Sequence, residues 1–224
     1  MEPPRKKVKR ATQPLSITHP HLMTEWDYER NARLDYDPNV LTHGSNKKVY
    51  WVCQLAGHKW DSHIFSRTRG KGCPYCSGNK VCADNCLANN DVYNICREWD
   101  QAKNGSLTPN DVVPKTHNKV WWKCHNGHSW EARIKNRTNG HSCPYCVGQK
   151  VSEDNCLANN DPRGICQEWD YDKNDTLTPS DVTQSSRKKI WWKCKINSSH
   201  KWEARIDHRL QGTGCPDCYK NSRK

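Results

Sequence analysis

Apolar and polar positions alternate along this chain in short bursts. Trp130, Ala132 and Ile134 fall on every second position of the stretch His128–Arg137, the period of a half-buried strand. A β-rich run precedes it at Lys119–Cys124, with a counterpart at Lys188–Cys194. Elsewhere the period changes. Leu22 and Trp26, Ile95 and Trp99, and Ile165 and Trp169 are four apart, which places each pair on one face of a short helix. The segments Leu107–Asp111 and Leu177–Asp181, both Leu-Thr-Pro-x-Asp, break the helix and turn the chain. A Gly-containing turn follows the second extended run. The expected unit is small and α+β: a short helix, a turn and a β-hairpin.

That unit is written three times, with a period of about 70 residues. Glu25-Trp26-Asp27 recurs as Glu98-Trp99-Asp100 and Glu168-Trp169-Asp170. Tyr50-Trp51-Val52-Cys53 recurs as Trp121-Trp122-Lys123-Cys124 and Trp191-Trp192-Lys193-Cys194. Gly70, Gly140 and Gly212 coincide. The join repeats as well, Asp84–Asp91 against Asp154–Asp161. The expected layout is a tail at 1–18 and modules at 19–80, 81–150 and 151–224.

Composition decides what holds such units together. Only 33% of the 224 residues are hydrophobic, with one Phe against eleven Trp, and the mean hydropathy is −1.09. Modules this small and polar need staples beyond apolar burial. Fourteen Cys supply them. No apolar N-terminal stretch reads as a signal peptide and no run of eighteen apolar residues exists. The expected compartment is therefore cytosol or nucleus, with no membrane span, where such Cys spacing reads as metal rather than disulfide.

Cys53, His58, Cys73 and Cys76 form the first constellation; Cys124, His128, Cys143 and Cys146 the second; Cys194, His200, Cys215 and Cys218 the third. The step from His to the next Cys is fifteen residues every time, which suits a hairpin of fixed register, while the C-x3–5-H knuckle varies. Three thiolates and an imidazole satisfy a tetrahedral Zn²⁺ and leave no open position, so three structural zinc ions are expected. A disulfide scaffold and an iron–sulfur cluster, which usually takes four thiolates, are the alternatives. Cys82, Cys86, Cys96, Cys156 and Cys166 remain and read as small buried apolar residues. Trp26, Trp60, Trp99, Trp130, Trp169 and Trp202 read as core rather than as bases' stacking partners.

Formal net charge is +12, which favours a polyanionic partner. It is unevenly placed. Residues 43–80, 113–150 and 187–224 carry +6, +6 and +8, whereas 19–42, 81–112 and 151–186 carry −3, −3 and −6. The cations sit on the metal-bearing halves. Arg67, Arg137 and Arg209 share one position near the hairpin tip. His63, Arg133 and Arg205 lie four residues earlier, on the same face if the run stays extended. Lys47-Lys48, Lys119 and Arg187-Lys188-Lys189 flank the first strand. Together they make a candidate phosphate-tracking face. In the tail, Arg5, Lys6, Lys7, Lys9 and Arg10 resemble a nuclear localisation signal. No phosphate loop, nucleophile elbow or His-Glu-x-x-His motif is present, so no catalysis is expected.

Trp-x-Cys, His-x-Trp, a following Arg and Gly, and then Cys-Pro-x-Cys resemble the probable zinc-ribbon family of treble-clef fingers, over nearly all of 19–219. The resemblance implies three tandem treble-clef or zinc-ribbon-like modules, each with a short helix, a β-hairpin and a Cys-Pro-x-Cys knuckle. It also implies the twelve residues above as metal ligands and a DNA-binding role. Large DNA viruses, bacteria and some eukaryotes carry the family. The third module departs from the pattern, with a longer knuckle at Lys195–Ser199 and Pro-Asp where the others have Pro-Tyr. The expectation is a non-enzymatic zinc protein, in the nucleus or packaged with DNA in a virion. It would bind duplex DNA in an architectural, packaging or regulatory role. Chromatin or virion proteins are further expected partners, and membranes and small-molecule substrates are not. A protein-interaction adaptor with purely structural zinc, and an RNA or single-strand binder, are the alternatives.

Overall fold

The computed structural model describes residues 13–221; the localisation-like cluster Arg5, Lys6, Lys7, Lys9 and Arg10 lies outside the described residues. The chain forms two compact units. One comprises the chain through Cys96 with Ser106–Thr116, and the other Arg97–Gly105 with the chain from His117. Among the described residues no helix is long and apolar enough to cross a membrane.

The first unit opens on α1 (Leu15–Thr18). Residues 14–18, expected at the end of the tail, belong instead to the fold. Leu15 is fully buried, its N–H donates to the Leu41 carbonyl, and Pro14 bridges Thr42. A 3₁₀ turn, Pro20–Glu25, leads to α2 (Tyr28–Ala32). β1 (Lys48–Val52) and β2 (Lys59–His63) pair antiparallel with Trp51 opposite Trp60, and α3 (Ile64–Thr68) follows directly. The second unit repeats this order. α4 (Gln101–Asn104) precedes β3 (Lys119–Lys123), β4 (Ser129–Arg133) and α5 (Ile134–Thr138). β5 (Lys189–Lys193), β6 (Lys201–Arg205), α6 (Ile206–Leu210) and α7 (Pro216–Asn221) complete it. Each hairpin is its own two-stranded sheet.

Two expected elements end differently. The Ile–Trp spacing of four is carried by 3₁₀ turns, Ile95–Glu98 and Ile165–Glu168, and Trp169 leaves its turn in an extended conformation. The α-helix starts afterwards, at Asp27 or Asp100, whose carboxylate caps it by accepting from the N–H of Arg30 or Lys103. The second extended run stops at Arg133, because Ile134 begins a helix whose first residue is fully buried. The Thr-Pro-x-Asp turns are capping boxes: the Asp111 and Asp181 carboxylates accept from both the backbone and the hydroxyl of Thr108 and Thr178.

Tryptophan builds the core. Strand alternation turns Trp51, Trp122 and Trp192 inward, where each is completely buried. Trp26, Trp99 and Trp169 meet them edge to face, with ring centroids 5.3, 5.5 and 5.6 Å apart. Such pairs add about 0.5–1.5 kcal/mol beyond area burial. The indole N–H of Trp51, Trp122 and Trp192 donates across the hairpin, to the carbonyl of Ser62, Ala132 and Ala204 respectively. The outward neighbours Tyr50, Trp121 and Trp191 each lie under a cation, from Arg30, Lys103 and Lys173. Asn31, Asn104 and Asn174 supply the last tie. Each amide donates to, and accepts from, the peptide of that outward aromatic, imitating a strand edge.

Candidate metal centres

Each hairpin turn carries one thiol and one imidazole, and the Cys-Pro-x-Cys segment after the helix brings two more thiols beside them. The four ligand atoms of Cys53, His58, Cys73 and Cys76 lie within 4.8 Å of one another, as do those of Cys124, His128, Cys143 and Cys146 and those of Cys194, His200, Cys215 and Cys218. The separations test whether zinc fits. Cys53 Sγ to Cys76 Sγ is 3.6 Å, Cys124 Sγ to Cys146 Sγ 3.7 Å and Cys194 Sγ to Cys218 Sγ 3.6 Å. In every site the imidazole presents Nδ1 to the sulfurs, at 3.4–3.7 Å. A tetrahedron with Zn–S of about 2.3 Å and Zn–N of about 2.0 Å has edges of roughly 3.5–3.8 Å. The three sites are thus compatible with three structural zinc ions, one per repeat, with Nδ1 and three Sγ atoms as ligands. All fourteen cysteines are free of disulfides.

The knuckle backbone favours thiolate at the first position. The Cys194 thiol is held below its ordinary value, first by the backbone N–H of Asn197. That of Cys218 is pushed up to about 11, first by its hydrogen bond to Cys194. Outside the sites, Cys86 and Cys156 are buried. Burial first, then Asp91 or Asp161, pushes the Cys96 and Cys166 thiols up to about 12. Cys82 stands apart, with Sγ 3.5 Å from His58 Nε2.

The arginines at the shared tip position are not surface contacts. Arg67, Arg137 and Arg209 are 5%, 4% and 4% exposed. The short helix after the second strand is the reason: it turns residue 67, 137 or 209 back under the hairpin, off the face of His63, Arg133 and Arg205. There each guanidinium lies over two indoles, Trp51 and Trp60, Trp122 and Trp130, or Trp192 and Trp202, about 5 Å from each. Nη2 pairs with Glu25, Glu98 or Glu168, and Nη1 donates to the carbonyl of Lys71, His141 or Thr213. The Glu-Trp-Asp element is thereby explained: Glu holds the buried Arg, Trp packs on the strand indole, and Asp caps or pairs.

The remaining cations lie where the strands begin and end. Register sets Lys48 opposite His63, Lys119 opposite Arg133 and Lys189 opposite Arg205. Some are partly neutralised, Lys48 by Asp61, Lys119 by Glu131 at 3.6 Å and Arg205 by Asp207. Lys47 lies over the Tyr36 ring. Arg133, Arg187, Lys188 and Lys189 form no ion pair among the described residues.

A family model described as a probable treble clef zinc finger domain matches residues 22–79, 95–149 and 165–221. No match is found among curated proteins.

Proposed function

Because the chain belongs to the probable treble clef zinc finger family and its metal sites are closed by four protein ligands each, we propose that it is a non-enzymatic protein that binds duplex DNA through phosphate contacts. The observation that supports this most is the cross-strand facing of Lys119 and Arg133 and of Lys189 and Arg205 at the open ends of two hairpins, where Lys48 and His63 face each other in the first. Lys47 and Arg187-Lys188 extend two of these pairs. The ion pairs of Lys48 and Lys119 are exposed, are worth little in salt, and can exchange for phosphate. The acidic half of each module opposes uniform coating and orients the basic ends. The basic cluster of the tail fits nuclear import, which would bring the protein to DNA; packaging with DNA in a virion is the other compartment the charge suits.

The test is a salt titration of labelled duplex DNA with the zinc-loaded protein. Log K is expected to fall linearly with log salt, by about 0.9 per phosphate contact. Replacing Lys47, Lys48, Lys119, Arg133, Lys188 and Lys189 with Ser should flatten that slope and leave three zinc ions bound. A flat slope in the unaltered protein, or no binding at low salt, overturns the reading and leaves the adaptor role. Preference for single strands or RNA in competition would replace duplex DNA as the partner.

A further inference from the structure

A zinc-ligating imidazole has a second nitrogen, and what that nitrogen meets sets the ring's tautomer and orientation. In the first site His58 Nε2 lies 2.9 Å from the Asp84 carboxylate; in the second, His128 Nε2 lies 2.9 Å from the Asp154 carboxylate. Both acids come from the join, between the segments that match the family. The join is built to hold them. Asn85 donates to the carbonyls of Tyr75 and Lys80 and accepts from the Cys82 N–H, which ties the join to the Cys-Pro-Tyr-Cys knuckle. Asn90 then donates to the carbonyl of Asp84 itself. Asn155 and Asn160 repeat every one of these bonds, with Ser152 in place of Cys82. The knuckle Tyr also packs on the ring, Tyr75 on His58 and Tyr145 on His128, with centroids 5.1 Å apart in both.

Among the described residues the third site shows neither support. Asp217 stands at the Tyr position. His200 Nε2 meets the amide nitrogen of Asn197 at 3.2 Å, because Asn197 Oδ1 is already taken by the N–H and hydroxyl of Ser199. With Nδ1 turned to the sulfurs, Nε2 carries the proton, so at Asn197 a donor faces a donor.

We infer that Asp84 and Asp154 are positioning residues for zinc, each locking the histidine of the preceding module, and that His200, whose Nε2 faces the Asn197 amide nitrogen, holds its metal least firmly. The inference does not depend on DNA binding.

The experiment is transfer of zinc from the fully loaded chain to excess chromophoric chelator, with parallel nitrogen NMR of the His rings. In the unaltered protein one of the three zinc ions should leave first. Asp84→Asn should speed release of one further ion by about 10–100-fold, and Asp154→Asn should do the same for the other. Both acids are exposed, with side-chain accessibilities of 67% and 55%, so neither change should unfold its module. Asn197→Asp supplies one oxygen to Ser199 and a second to His200, and should slow the fastest ion by about tenfold. The slowly exchanging Nε2 protons of His58 and His128 should vanish in the matching Asp→Asn variants. Release traces unchanged in both Asp→Asn variants, or an Asn197→Asp protein that loses its fastest ion no more slowly, would overturn the inference.

Discussion

A guanidinium inside a module of this size is costly unless its charge is paired. Arg209 lies over the rings of Trp192 and Trp202, is joined to Glu168, and donates to the Thr213 carbonyl, while its Nε is buried without a hydrogen-bond partner. Removing one partner of such a pair leaves a buried charge. Arg209→Ala is therefore expected to destabilise the second unit by about 3–5 kcal/mol, read as a lower midpoint in urea unfolding of the zinc-loaded protein. Arg209→Lys should recover only part of the loss, since an ammonium cannot stack flat on an indole and reach both oxygen partners. These arginines show what a one-dimensional reading misses. The twelve residues that gather at the three zinc-compatible sites were legible because each site pairs two short knuckles, and the constant step of fifteen residues set one hairpin for all three copies. The direction of Arg67, Arg137 and Arg209 was not. The apolar alternation carries on through Ile134, but the backbone has already turned helical there. Asp84 was hidden for another reason: it lies 26 residues from His58, outside the four residues whose spacing repeats as a ligand set.

At the scale of elements, secondary structure here is short and held by its ends. Every strand among the described residues has five residues, so caps and turns carry weight that a longer ladder would carry itself. The Thr-Pro-x-Asp box is the clearest case. The Asp111 and Asp181 carboxyls are held below their ordinary value of 3.8, first by the hydroxyls of Thr108 and Thr178. A depressed folded value means that each acid's stabilisation is fully present above its ordinary value and is lost as pH falls through the depressed one. The difference in stability between the unaltered protein and Asp111→Asn should accordingly be constant near neutrality and shrink below pH 3.8, measured by urea unfolding across that range. Periodicity revealed that Ile95–Trp99 and Ile165–Trp169 were one-faced. It could not separate a 3₁₀ turn from an α-turn, because both bury residues three or four apart. The Asp caps, which decide where the helix starts, follow the apolar pair rather than precede it.

For the whole molecule, metal and apolar core are one system. Cys53 and Cys73 are counted in the same buried cluster as Trp51, Trp60 and Ile64. Structural zinc in small fingers contributes about 10–16 kcal/mol near neutral pH, far more than a core of this polarity supplies. Chelation should therefore abolish the near-ultraviolet signal of the packed indoles in both units and leave no cooperative thermal transition. Restoring zinc should return both and release protons from the thiols. A chelated protein that still melts sharply would show that the tryptophan core stands without metal. The carboxylate behind His58 has a practical consequence for anyone cutting the array apart. A piece excised at 22–79 would keep four ligands but discard the latch on its histidine, together with Leu15, a fully buried core residue. Excised at 14–94 it would take both along. The portable cassette, the piece that can be grafted elsewhere without loosening its metal, runs past the family match at both ends.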